Sequence, residues 1–84
     1  MKKIENYDKF WNMKGKITEF SFFSEYEIIK ETEKAVFAKV DHYVPKMGGI
    51  REIKKWIPKS YLYLYEFENG LKCYLINHDF MTYA

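Results

Sequence analysis

The chain has 84 residues, of which 48% are hydrophobic and 20% are aromatic. This length suits one small domain, and the many large rings favour a compact core over disorder. One cysteine and two histidines exclude a disulfide scaffold and a structural zinc module. The net charge of +2 is too small to indicate a nucleic-acid-binding protein by itself. Basic residues dominate 1–16 and 45–59, whereas acidic residues dominate 17–44 and 60–84, so the charge is banded.

The sequence also indicates a cellular location. No apolar run follows the N-terminal lysines, so the pattern of a secretory signal is missing. No stretch approaches the ~18–20 apolar residues that cross a bilayer. A free cysteine is compatible with a reducing compartment. We therefore expect a cytoplasmic protein without a membrane partner, either of a bacterium or of the cell that its genetic element infects.

The first predicted element is a short amphipathic helix. Ile4, Tyr7 and Trp11 recur at the spacing of one helical face, which predicts a helix over residues 4–13 that Gly15 ends. We assign residues 1–14 to this N-terminal helix or arm.

Strand patterns follow the helix. Alternation is clearest where Val36, Ala38 and Val40 share one face, and Pro58 ends a later strand because it cannot donate a ladder hydrogen bond. The predicted strands are residues 16–23, 26–30, 35–44, 50–57, 61–67 and 71–77.

The predicted fold class is mainly β, with α+β as the alternative. The elements suggest a small, strongly bent antiparallel sheet or a partly open barrel of five to six strands, with a short N-terminal helix. One domain spans residues 1–84, with the β-sheet core over 16–77 and a C-terminal tail over 78–84.

The last hairpin yields a prediction of register. Asn69 and Gly70 are the preferred central pair of a type I′ turn, which would place Tyr65 opposite Tyr74. One face of this hairpin would then be a tyrosine stripe, and the other an apolar face suited to the core. The stripe comprises Tyr61, Tyr63, Tyr65 and Tyr74, with Lys72 beside it.

Two segments carry a resemblance to a known group of proteins. Residues 27–40 (EIIKETEKAVFAKV) and 54–62 (KKWIPKSYL) resemble parts of short, mostly uncharacterised proteins encoded by phages and other mobile elements of bacteria. Those proteins pair an ETEKA segment and an apolar strand with a downstream Trp-Ile/Leu-Pro-Lys-Ser. Residues 76–80 lack the Pro-Glu-Trp with which the family often ends. The resemblance implies a small β-rich phage accessory protein and no particular reaction.

The residues offer little for catalysis. Cys73 is predicted to point into the core, where a thiol is inert. His42 lies in mid-strand, and His78 is predicted to lie on the face opposite Cys73. No catalytic or phosphate-binding motif occurs in the chain. We expect no enzyme, and no catalytic, cofactor-binding or metal-binding residues.

Three sets of side chains are candidates for contact with a partner. At residues 56–60, the WIPKS corner, Trp56 shares a face with Lys54, although the favoured interpretation is that Trp56 anchors the core and Pro58 shapes the corner. The tyrosine stripe suits a protein interface or the stacking of bases, unless the N-terminal helix covers it. The basic hairpin end, residues 46–55, could contact a phosphate backbone or an acidic groove of a protein, unless it is only a solvated loop. The candidate partner-binding residues are Lys46, Arg51, Lys54, Lys55, Trp56, Lys59, Tyr61, Tyr63, Tyr65, Lys72 and Tyr74.

These features favour a non-enzymatic, phage-type accessory protein that binds a host macromolecule stoichiometrically. The most concrete version is an inhibitor of a bacterial defence nuclease, of anti-CRISPR type, acting by protein–protein contact. The alternative is a small single-stranded nucleic-acid-binding module, and the third reading is a homodimeric structural or assembly subunit. The expected partner is a host protein or nucleoprotein, with nucleic acid as the alternative, and the chain is a monomer or a homodimer.

Overall fold

The computed structural model describes residues 1–82, and the side chain of Thr82 is not described. It confirms a mainly β fold, with 52% strand in a strongly curled half-barrel. The seven strands are β1 (Lys2–Lys3), β2 (Phe20–Ser24), β3 (Ile28–Glu31), β4 (Ala35–Val44), β5 (Gly49–Pro58), β6 (Leu62–Glu66) and β7 (Lys72–Asn77). The two α-helices are α1 (Tyr7–Lys14) and α2 (His78–Thr82).

The sheet has the order β1-β6-β7-β2-β4-β3, and β5 pairs with β4. Strand β4 is the centre of this arrangement, because it pairs with β5 along its whole length and with both β2 and β3 on its other side. Strands β2 and β3 are separated by a 3₁₀ turn at Glu25–Glu27. Strand β2 lies between β4 and β7, pairing with β7 along its whole length and with β4 at Phe22.

The inner face of the sheet carries the main core. The alternation predicted for residues 35–44 is confirmed, since Val36, Ala38 and Val40 are all buried here. Strand β7 adds Tyr74 and Ile76, and α2 adds Met81, which closes the open side of the curl. Other members of this core are Phe23, Ile57 and Leu62.

The outer face of the sheet is covered only in part, by α1. Phe10 is 1% exposed and packs with Cys73 and Leu75 of β7. The helix begins one turn later than predicted, because Asn6 is its N-cap and accepts a hydrogen bond from the backbone N–H of Lys9. Residues 2–3 instead pair in parallel with β6, which keeps the start of the chain extended.

The predicted register of the last hairpin is wrong by one residue. The backbone N–H of Gly70 donates to the carbonyl of Phe67, and Phe67 N–H donates to Leu71, which closes a three-residue loop. Gly70 has a φ of +88°, whereas Asn69 does not have a positive φ. The turn is thus type I followed by a left-handed glycine, not type I′. Tyr65 consequently pairs with Cys73, and Tyr74 moves to the inner face.

Two predicted segments differ at their ends. The strand predicted at residues 16–23 begins at Phe20, because residues 16–19 form a turn in which Glu19 N–H donates to Lys16. The predicted C-terminal tail at 78–84 forms helix α2 as far as Thr82, with Met81 buried. Residues 83–84 of that tail lie outside the described residues.

Candidate functional site

The predicted tyrosine stripe is divided between three environments. Tyr63 and Tyr65 lie on the outer face, in the cluster that α1 covers. Tyr74 is 8% exposed and stacks on Phe23 in the main core. Tyr61 is exposed and stacks on Phe80, with ring centroids 4.8 Å apart. No continuous tyrosine face exists among residues 1–82, so the prediction of a stripe is wrong.

The basic residues of β5 point to opposite faces. Lys54 lies on the outer face, where it pairs across the strands with Lys39. Lys55 lies on the inner face, and its Nζ sits 4.7 Å from the centre of the Phe80 ring. Arg51 pairs with His42 on that same inner face. Lys54 and Lys55 therefore belong to different surfaces, although the sequence analysis predicted a single basic patch.

Of the other lysines predicted to bind a partner, Lys59 and Lys72 make hydrogen bonds within the chain, and Lys46 is exposed. Lys59 donates to Glu31 at 2.6 Å, an ion pair that ties the WIPKS corner to β3. The backbone N–H of Lys72 donates to Glu25. Lys46 is exposed in the 3₁₀ turn at Pro45–Met47, at the tip of the β4–β5 hairpin.

Strand β5 is an edge strand, since β4 is its sole pairing partner in the described part of the chain. It carries Arg51, Lys54, Lys55 and Pro58. Lysine and proline on an edge oppose strand-to-strand association, because the charges repel and proline lacks the donor. This arrangement directs partner contacts toward the face of the strand and away from its edge.

An exposed aromatic surface flanked by lysines lies on the outer face of the β4–β5 hairpin. Trp56 is 46% exposed and packs on Phe37 of β4, with ring centroids 5.3 Å apart. Lys54 and Lys39 follow on the same face, so the predicted pairing of Trp56 with Lys54 on one face is confirmed. Helix α1 covers the outer face over β2, β6 and β7. Its last residue, Lys14, reaches the tip end of the hairpin, where it borders a groove with Asp41, Tyr43 and Ile50, whereas Trp56 at the other end stays exposed.

An acidic cluster adjoins this face. The carboxylates of Glu27, Asp41 and Glu52 approach within 4.8 Å of one another. Burial raises the pKa of Asp41, and the neighbouring charges of Glu27 and Glu52 raise it further, while Lys14 opposes them. Oxygen ligands of this kind suit a hard cation such as Ca²⁺ or Mg²⁺. The sequence missed this cluster because its members come from three separate elements.

A polar cluster lies on the inner face. The His42 and His78 rings are 4.5 Å apart, a contact between distant segments that the sequence did not predict. The Ser21 hydroxyl lies 2.7 Å from His42 Nδ1, but Ser21 has no exposed surface, so a substrate cannot reach it. Burial lowers the pKa of both histidines, most directly through desolvation. In this buried setting Ser21 and His42 contribute to the packing of the inner face and do not act as a catalytic pair.

The remaining reactive group is the cysteine. Cys73 is 4% exposed, which confirms its predicted burial, although it lies beneath α1 on the same face as Tyr63 and Tyr65 and not opposite them. Burial raises the pKa of its thiol. A buried thiol with a raised pKa is a poor nucleophile. The open groove beside α1, with a volume of about 480 Å³, is lined by Tyr7, Tyr65, Phe67, Glu68 and Asn69, a set without a nucleophile–base pair.

Comparison of the chain with protein-family models, with curated proteins and with solved structures gives no match. Neither helix within residues 1–82 has the length and apolar character needed to span a membrane. The geometry of the outer face is therefore the main guide to function.

Proposed function

We propose that the chain is a non-enzymatic, phage-type accessory protein that binds another protein through the outer face of the β4–β5 hairpin. The observation that carries this proposal is the exposed Trp56, packed on Phe37 and flanked by Lys39 and Lys54, on a part of the sheet that α1 leaves bare. Tryptophan at the centre of a contact surface is typical of binding hot spots.

The most concrete form of this activity is stoichiometric inhibition of a bacterial defence nuclease in the host cytoplasm. A small protein can block such an enzyme with a rigid surface of complementary charge, and needs no reactive group. Lys39 and Lys54, which form a lysine row on the outer face, provide positive charge for contact with an acidic protein surface. The resemblance of residues 27–40 and 54–62 to phage-encoded proteins supports the same class of activity.

A second candidate function is the binding of single-stranded nucleic acid. The Phe37–Trp56 pair is a surface on which bases could stack, with lysines beside it for the phosphates. The acidic cluster of Glu27, Asp41 and Glu52 argues against this function, because it lies beside the lysine row and repels phosphate.

The experiment is a capture assay followed by an activity assay. The immobilised chain is incubated with lysate of a bacterial host that carries defence nucleases, captured proteins are identified, and cleavage by the captured nuclease is titrated with the free chain. We expect inhibition that is complete near one chain per enzyme, and lost in Trp56→Ala and Lys54→Glu. Lys55→Glu is the matched control, because Lys55 lies on the inner face.

Equal capture by the wild type and by Lys54→Glu would contradict the assignment of the outer face. A salt titration with a single-stranded oligonucleotide tests the second candidate, because phosphate binding weakens steeply as salt rises. Tight binding of the oligonucleotide that is lost in Trp56→Ala, without capture of any protein, would replace the first function with the second.

A further inference from the structure

Beyond the Ala35–Pro58 pair at the corner, the outer face of the β4–β5 hairpin carries four successive rows of paired residues. Residues directly opposite each other in an antiparallel pair point to the same face. From the WIPKS corner toward the hairpin tip the rows are aromatic, basic, acidic and apolar. They comprise Phe37–Trp56, Lys39–Lys54, Asp41–Glu52 and Tyr43–Ile50.

The two middle rows place like charges directly opposite each other. Such pairs destabilise a sheet, whereas opposite charges at these positions stabilise it. Glu27 approaches the acidic row and adds a third carboxylate to it. A folded chain on its own therefore carries repulsion within each row, and a surface with the reverse order of charges would relieve it.

We propose that a second copy of the chain binds this face and forms a symmetric dimer. The two-fold axis lies in the interface, perpendicular to the strands, between the basic and the acidic rows. Rotation about it places Lys54 of one copy against Glu52 of the other, and Lys39 against Asp41. This proposal rests on the part of the proposed function that makes this face a protein-contact surface. A second copy occupies the face in the free chain, and a host protein that binds the same face has to displace that copy.

The two outer rows, one aromatic and one apolar, face each other under the same rotation. Two residues advance a strand by about 6.8 Å, so the aromatic and apolar rows each lie about 10 Å from the axis and face one another. Trp56 is 46% exposed, and Ile50 is 58% exposed. The rotation keeps β5 over β5 and β4 over β4, so Trp56 of one copy lies over Ile50 of the other, and Phe37 over Tyr43. Beside the apolar row, on the side of β2, is a groove of about 120 Å³. It is lined by Lys14, Ile17, Phe20, Phe22, Asp41, Tyr43 and Ile50.

Other symmetric arrangements conflict with the charges. A two-fold axis parallel to the strands would set each lysine row against the lysine row of the other copy, and each acidic row likewise. Association along the β5 edge would bring Arg51, Lys54 and Lys55 of the two copies together. The order of the rows thus selects one axis among the symmetric alternatives.

The test measures the mass of the chain in solution by sedimentation, using charge reversals at two exposed positions of β5. The wild type is expected at twice the 10.3 kDa chain mass. Lys54→Glu and Glu52→Lys are each expected to weaken the dimer by about a hundredfold or more, because like charges then oppose one another across the interface. A 1:1 mixture of the two variants, and the double variant carrying both changes, are expected to recover the dimer.

Lys55→Glu is the control, since Lys55 points to the inner face and the dimer is expected to persist. A monomeric wild type at about 1 mM, the limit of weak association, would overturn the proposal. So would dimers that survive both single reversals, or a mixture that stays monomeric while circular dichroism shows that both variants are folded.

The failures of the two proposals can be distinguished. If the wild type is a monomer while capture of a host protein still depends on Trp56 and Lys54, the dimer is overturned and the proposed function stands. If the dimer follows the charge pattern while capture is unaffected by Lys54→Glu, the dimer stands and the assignment of the host-binding surface fails.

Discussion

Phe10 of α1 stacks on Tyr65 of β6, with ring centroids 4.8 Å apart and ring planes inclined by 20°. Phe67 meets both rings edge-on, at 5.5 Å from Phe10 and 5.0 Å from Tyr65. This aromatic cluster fixes the helix on the outer face of the β6–β7 hairpin. It also determines which part of the sheet remains open to a partner, because the helix covers one half of the outer face and leaves the other half bare.

The stacked pair can be tested by a double-mutant cycle. Phe10→Ala should lower the free energy of unfolding by about 3–5 kcal/mol, because it removes a buried ring. Tyr65→Ala should cost less, because Tyr65 is only half-buried. The double variant should lose less than the sum of the two, by about 0.5–1.5 kcal/mol, since the ring–ring contact is removed only once.

Urea unfolding of the four proteins provides the measurement. Tyr26→Ala is a suitable control, because Tyr26 is 83% exposed and its loss should change stability by no more than about 0.5 kcal/mol. Additive losses in the double variant would show that Phe10 and Tyr65 do not stabilise one another.

The N-cap of α1 provides a second prediction. Asn6 accepts a hydrogen bond of 2.8 Å from the Lys9 N–H, so Asn6→Ala should destabilise the protein by about 0.5–2 kcal/mol. Asn12→Ala changes the same residue type at an exposed position within the helix, where alanine is the better helix former. Thermal unfolding should therefore show a loss for Asn6→Ala only. Equal effects at the two positions would argue against the cap.

The loop of the last hairpin provides a third prediction. Gly70 has a φ of +88°, a conformation that a β-branched side chain resists, so Gly70→Val should destabilise by about 1–3 kcal/mol. Glu68→Val is the control in the same loop, because Glu68 is exposed and does not have a positive φ. The difference between their melting temperatures measures the cost. If Gly70→Val melts like the wild type, the type I turn with a left-handed glycine is wrong.

The histidine pair predicts how stability depends on pH. Desolvation lowers the pKa of His42 and of His78 below the ordinary value of 6.5. The neighbouring His78 and Lys55 lower the pKa of His42 further. At His78 the charge of Asp79 partly opposes the shift. At neutral pH both histidines are uncharged in the folded and the unfolded chain. As pH falls through 6.5 the unfolded chain binds protons first, so the free energy of unfolding should decrease.

Denaturant unfolding between about pH 7.5 and 5 measures this slope. In His42→Gln one of the two titrating groups is gone, so the decrease toward acid pH should be smaller than in the wild type. The same slope in both proteins would show that His42 titrates alike in the folded and unfolded states.

Several parts of the fold could be predicted from local pattern. Val36, Ala38 and Val40 alternate with polar and aromatic residues, and each lies buried on the inner face as that period requires. The ten-residue pairing of β4 with β5 follows from one compact turn between two regular strands. Local patterns predict these features because side-chain alternation and turn residues act over only a few positions of the chain.

The register of the last hairpin depended on a choice that the sequence leaves open. Asn69-Gly70 is compatible with a two-residue or a three-residue loop, and the two differ by one position. In the folded chain Tyr74 stacks on Phe23 of β2, and Leu75 lies beneath Phe10 of α1. These contacts between distant segments select the three-residue loop, and the shift of one residue places Tyr74 on the face opposite Tyr63 and Tyr65.

The sequence by itself determined the fold class, the strand faces of the β4–β5 hairpin and the burial of Cys73, because these follow from periodicity and composition. Only the tertiary structure decided which surface is available. It separated Lys54 from Lys55, brought His42 against His78, and gathered Glu27 with Asp41 and Glu52. Each of these relationships depends on strand register and on where α1 docks. Both are set by the packing of side chains far apart in the chain, which no local pattern contains.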